Sequence, residues 1–182
     1  MNSAGIVRRI DELGRVVIPK EMRKTLRIKE GDPLEIYASH EELVFKKYSP
    51  IASVETFAKI VAEGISELTD KTCVITDTDK IVFVSSSKLK EMVGANVSKG
   101  VESILKNRKS VVNANSSGSR VLPLISNDDA GAENQIIVPI VANGDCLGSV
   151  ILFDREKNQR FGEKDIQLAK LGATFLSKQL EV

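Results

Sequence analysis

The sequence has 182 residues, 42% hydrophobic and 28% charged, a balance that excludes a disordered chain and allows one domain or two small ones. With no Trp, two Tyr and six Phe, it is too poor in aromatics for a base-stacking surface of the kind that grips single-stranded nucleic acid. Twenty-six basic residues stand against 25 acidic ones, and a total so close to neutral gives by itself no reason to expect a nucleic-acid partner.

Residues 1–48 read as short, β-rich pieces. The run 6–10 predicts a strand, Asp11-Glu12-Leu13-Gly14 a turn with glycine supplying a positive φ, and 15–18 a second strand. Pro19 ends that strand and opens about two helical turns over 20–26, with Met22 and Leu26 on one side. Gly31-Asp32-Pro33 punctuates. Leu34, Ile36 and Ala38 then alternate with polar neighbours as a half-buried strand, 39–42 makes a turn with His40 as a solvent-facing loop residue, and 43–48 is the fourth strand. So small a unit has a marginal core, which predicts an obligate dimer through this half. The pattern changes at Ser49-Pro50-Ile51, so the expected division is 1–50, a short linker at 51–55, and 56–182.

From Val54 the apolar spacing turns helical, with Phe57, Val61, Gly64 and Leu68 on one stripe and Ile60 and Ile65 widening it. Strands at 72–76 and 81–85 flank the turn Asp77-Thr78-Asp79-Lys80. Short helices follow at 88–93 and 101–107, then a strand at 120–125 and a polar loop at 126–134. The strands 136–141 and 147–153 are joined through Asn143-Gly144, the clearest hairpin signal in the chain. A long helix begins at Phe161 or Gly162; its apolar arc is wide enough to serve both the sheet and a neighbouring subunit. The expected class is α+β in two domains, the second an antiparallel sheet with flanking helices.

Counting charge by segment changes the meaning of the neutral total. Residues 1–29 hold eight basic and three acidic side chains, a net of +5, whereas 30–45 hold five acids and no base. Five of the eight are arginines, suited to bidentate contact with phosphate or guanine edges. They come from two strands, a turn and a short helix, so they can converge on one surface that dimerisation would double. That is the electrostatic footprint of a duplex-DNA binder.

The run from Gly5 to Leu26, with Gly14-Arg15, the apolar residues after it, Pro19 and Arg23, closely resembles the AbrB-type swapped-hairpin DNA-binding domain of bacterial transition-state regulators. The resemblance implies that two chains interleave their hairpins into one β-rich dimer whose arginines face DNA. The matching DNA-binding positions are Arg8, Arg15 and Arg23, with Lys24 where close relatives often carry arginine. Lysine keeps the charge but loses the planar fork, so Lys24 is expected to contact phosphate rather than a base. The second half, through its 138–151 hairpin, resembles a GAF-like sensor domain. Head followed by GAF-like domain is the layout of regulators of sporulation genes in endospore-forming bacteria. This implies an activator and repressor that tetramerises through head and GAF-helix contacts. The alternative on the same head is an antitoxin-type module that neutralises a partner protein; the near-neutral, folded-looking remainder weighs against it.

Other chemistries find little to work with. His40 is the sole histidine, and Cys73 and Cys146 have no second ligand at metal spacing, so neither a zinc site nor a nucleophile set can be assembled. No enzyme activity, metal or resident cofactor is expected, and both thiols are read as buried and structural. An unidentified small molecule could sit in the GAF-like domain, near 85–101 and 126–134. Residues 85–87 and 116–119 are read first as turn and cap residues rather than a phosphate site. The longest apolar stretch, 136–142, is far short of the roughly 20 residues a membrane span needs, and no signal-peptide core is present, so a cytoplasmic protein is expected.

Overall fold

The computed structural model describes residues 5–114, 120–126, 132–155 and 161–181. The chain divides into two compact units, Met1–Tyr48 and Ser49–Val182.

In the first unit, α1 (Lys20–Thr25) precedes an antiparallel hairpin of β1 (Leu34–Ser39) and β2 (Glu42–Lys47), paired from Leu34↔Lys47 to Ser39↔Glu42. Two residues turn the hairpin, with His40 exposed in the left-handed region at φ 47. Asp32 ties its base: one carboxylate oxygen accepts the Lys29 N–H at 2.8 Å and lies 2.9 Å from Lys47 Nζ. The strands expected at 6–10 and 15–18 are not strands within a single chain. Only the turn between them closes, where the Asp11 N–H donates to the Arg15 carbonyl. The physical reason is a missing counter-surface: Val7 and Val17 are 89% and 74% exposed, and Pro19 alone is buried among residues 5–48.

The second unit is built on a five-stranded antiparallel sheet in the order β4-β3-β7-β6-β5. The strands are β3 (Thr72–Asp77), β4 (Ile81–Val84), β5 (Val111–Ala114), β6 (Asn134–Ala142) and β7 (Asp145–Asp154). Side-chain alternation divides each central strand between two cores. Cys73, Ile75, Ile136, Val138, Ile140, Val150 and Leu152 face a layer of three helices, α2 (Pro50–Ser53), α3 (Glu55–Thr69) and α5 (Glu163–Leu180). Val74, Ile137, Ile151 and Phe153 face the opposite layer, made of a 3-10 helix (Ser87–Met92), α4 (Lys99–Asn107) and the irregular segment 120–126.

Several details differ from the sequence reading. Residues 51–53, expected within a linker, lie in α2, where Ile51 is fully buried in the helix-side core. Ser49 caps this helix and donates through Oγ to Asp77 at 2.8 Å. The buried stripe of α3 is Ala58, Ala62 and Ile65, whereas Phe57, Ile60 and Leu68 stay exposed. Small side chains win the inner face because they let the helix lie close to its neighbours. Gly172 of α5 makes the same allowance, since a Cβ there would stand 2.9 Å from Val61 Cγ1.

The edge strand is β5, not 120–125. The latter is joined by a bridge at Val97↔Ile125, and its Leu122 backbone is gripped from both sides by the buried Gln135 amide, at 3.2 and 3.0 Å. Asn113 interrupts the apolar pattern of β5, which explains why its signal is weak. The β6–β7 turn forms at Asn143-Gly144, both with positive φ, as the sequence indicates.

Where β3 meets β7, Thr76 and Ser149 share a fully buried hydroxyl–hydroxyl hydrogen bond of 2.8 Å. Beside it a Cβ on Gly148 would stand 2.0 Å from the Thr76 carbonyl oxygen, which is rigid backbone. Gly148→Ala should therefore destabilise the domain by about 3 kcal/mol, the upper range for overpacking. Urea unfolding should show a lowered midpoint, while Gly64→Ala, with open space at its Cβ, should not lower it.

Candidate nucleic-acid interface

The four basic side chains singled out in the head sit on three pieces of backbone. Arg8 is exposed on the extended segment before the Asp11 turn, Arg15 closes that turn, and Arg23 and Lys24 are exposed neighbours on α1. Proline starts α1 at an extended ψ of 147, and the Arg23 N–H donates to the Pro19 carbonyl at 3.0 Å. The helix ends within two turns, with Ile28 donating back to the Arg23 carbonyl at 2.8 Å and Arg27 left-handed at φ 53. None of the six α1 residues is buried, so its three basic side chains, Lys20, Arg23 and Lys24, lie open to a ligand.

The Asp11–Arg15 turn is more than a chain reversal. One Asp11 oxygen accepts the Leu13 and Arg15 N–H groups at 3.0 and 2.8 Å, and the other accepts Arg15 Nε at 2.7 Å. Gly14, at φ 75, supplies the left-handed residue that lets its N–H reach the Asp11 carbonyl. Arg15 is thereby held by its inner nitrogen while its side chain remains 72% exposed. Asp11 is a positioning residue that sequence reasoning missed. Its signal was present, an aspartate opening a glycine turn four residues before an arginine, but it was absorbed into the turn assignment. Hydrogen bonds from the Arg15 backbone and then from its side chain hold the Asp11 carboxyl below its usual 3.8.

Among the described residues no group of His, Cys, Asp and Glu could hold a metal ion. Burial pushes the Cys73 thiol up to about 12 and raises Cys146 as well, which makes both poor nucleophiles. Ser85, considered for phosphate, instead accepts the Cys73 N–H at 2.9 Å and donates to Ser66. The space between sheet and α4, where a ligand was considered, is occupied by Met92, Val97, Leu124 and the partly buried Leu89 and Leu122. Residues 116–119 and most of the 126–134 loop lie outside the described residues.

Comparison with known proteins bears on both units. The family described as stage V sporulation protein T C-terminal, transcription factor, matches residues 53–181. Stage V sporulation protein T of Bacillus subtilis (strain 168) is 41% identical over 182 residues, covering 100% of this chain and 99% of the relative. The chain belongs to the stage V sporulation protein T family. Its head is also similar to the transition state regulatory protein AbrB of the same organism, 62% identical over 65 residues, or 36% of this chain and 68% of that protein. A second family, described as antidote-toxin recognition MazE, bacterial antitoxin, matches residues 7–52. The sheet-and-helix unit shares its fold with the GAF domain of an Acinetobacter phosphoenolpyruvate-protein phosphotransferase, at a TM-score of 0.59 and 14% identity over 74% of this chain and 84% of that one. The expected class, an AbrB-type head followed by a GAF-like α+β domain, therefore stands.

Because its folded pKa is depressed, Asp11 stabilises the turn above the unfolded carboxyl value, and that support disappears as pH falls through the folded value. An NMR titration should find the Asp11 carboxyl below 3.8 and the Arg15 Nε–H signal moving with the same midpoint. Asp11→Asn should abolish that coupled shift; an Arg15 signal that ignores the titration would remove the ion pair from the turn.

Proposed function

We infer that this chain is a transcription regulator of sporulation genes that binds duplex DNA through its AbrB-type head. The observation that carries this is the combination of exposed Arg8, Arg15, Arg23 and Lys24 with the head's 62% identity to AbrB. Arg15 and Arg23 are assigned to base edges or bidentate phosphate contacts, Lys24 to phosphate. The head works as an interleaved dimer, because exposed Ile6, Val7, Ile10, Val16 and Val17 need a second copy to cover them. The functional division is a head at 1–50 and a GAF-like sensor and oligomerisation domain at 56–182. Action as activator at some promoters and repressor at others, in the cytoplasm, completes the reading. The chain is assigned no catalytic role.

The outer face of the helix layer supports a tetramer. Phe57, Ile60 and Leu68 on α3 and Leu171 and Phe175 on α5 are all exposed, and the Phe57 and Phe175 rings meet edge-on at 6.0 Å. Paired against the same face of another chain, they would join two head dimers. The antitoxin reading draws on the match at residues 7–52. Against it, residues from Ser49 onward form a folded domain, not an extended toxin-wrapping tail.

Arg15→Ala and Arg23→Ala should each cost about 1–3 kcal/mol of promoter binding per half-site while fold and oligomeric state persist. A gel-shift assay at moderate salt measures this, and full affinity in both variants would sink the assignment. Phe175→Glu should halve the assembly mass by light scattering without unfolding the domain. Co-purification of a small toxin with the wild-type chain would favour the second reading instead.

A further inference from the structure

The layer over the second face of the sheet carries a charge concentration that the head's DNA reading leaves unused. Residues 86–120 contain seven basic and two acidic side chains, a net of +5, equal to that of residues 1–29. Lys88 and Lys90 project from the 3-10 helix, Lys99 and Lys106 from α4, and Arg108 and Lys109 from the turn after it, and all six are exposed. Arg120, also exposed, begins the segment packed beside α4. Lys99 and Lys106 are seven residues apart and share one helix face, opposite the buried Val101, Ile104 and Leu105. The other layer is different: residues 49–71 and 161–182 together hold five basic and seven acidic side chains. The domain is therefore electrically polarised across its sheet.

We propose that this basic face binds the phosphate backbone of duplex DNA flanking the site held by the head. The proposal rests on the head being a DNA reader. Three features favour a phosphate backbone over an acidic protein. Five of the seven cations are lysines, compact point charges suited to phosphate but poor at fork recognition. The layer lacks the aromatic anchors that carry protein interfaces: among its described residues only Val93 and Val112 are large, apolar and exposed. The charges are also spread over three successive elements rather than gathered in a pocket, which suits a sequence-independent track along a backbone. The contact of Arg108 with Asp145, at 3.9 Å, is loose and exposed on both sides. Ser49 follows Tyr48 directly, so the second unit stays tethered to a head bound on DNA. A domain of this size has a radius of gyration of about 14 Å, so roughly one helical turn of flanking duplex lies within its reach.

The test compares the full chain on two duplexes with the same operator, one trimmed to the operator and one extended by about 20 base pairs on each side. Wild-type protein should bind the longer duplex more tightly, with a steeper fall of log K against log salt. The triple variant Lys106→Gln/Arg108→Gly/Lys109→Gln should flatten that slope by about 2.7 per engaged protomer on the long duplex only, at about 0.9 per phosphate contact. Glycine is chosen at Arg108 because its φ of 54 is left-handed, so the helix cap survives. A second variant, Lys88→Gln/Lys90→Gln, should act in the same direction from a different element. Equal wild-type slopes on both duplexes, or variants that weaken both alike, overturn the proposal and turn the face toward an acidic protein. Failure of the wild type to bind either duplex removes the head reading itself, and this proposal with it.

Discussion

The head cannot bury its own apolar side chains, and most of what this protein does depends on that. Among the described residues from Ile6 to Tyr48, fourteen large apolar side chains are exposed, from Val7 at 89% to Tyr48 at 37%. A folded domain does not tolerate such a surface in water, because each buried side chain of this kind is worth about 1.5–3 kcal/mol. In the proposed dimer a second copy of the chain covers that surface and sets two groups of arginines in a fixed relation. Recognition of symmetric half-sites would then be a consequence of incomplete folding in the monomer, and head stability would be inseparable from protomer concentration.

The GAF-like unit solves the opposite problem. Its sheet is buried on both faces by elements of the same unit, which leaves its outer surfaces open to solvent. Those surfaces are specialised. Small residues on the inner faces of α3 and α5, Ala58, Ala62, Gly172 and Ala173, draw the helices close to the sheet and to each other. This leaves the large side chains of the same helices, Phe57 and Phe175 among them, pointing outward. The opposite layer keeps its apolar side chains inside and shows lysine to solvent.

Much of this was legible in the sequence. The strands around Asn143-Gly144, the Asp77–Lys80 turn and the last helix announce themselves through period and turn chemistry. The head was legible through its Gly14-Arg15 and Pro19 punctuation together with segment charge, which a whole-chain total concealed. Three things were not. Strand β5 carries Asn113 amid its apolar residues, so its pattern is broken although Val111 and Val112 pair with β6. The inner face of α3 was misjudged because periodicity counts large apolar residues, whereas close packing selects small ones. The segments 6–10 and 15–18 read as two strands, but within one chain only the turn between them closes. Sequence shows that a strand wants a partner; it does not show in which molecule the partner lies.

The Asp11–Arg15 pair carries one further consequence, for anion selectivity. The carboxylate engages the guanidinium at Nε, while the side chain stays largely exposed. An incoming anion meets a competing carboxylate tethered four residues away. A duplex backbone answers that competition by presenting many phosphates at once. For a pair this exposed the competition is weak, a small bias of Arg15 towards a polyvalent anion.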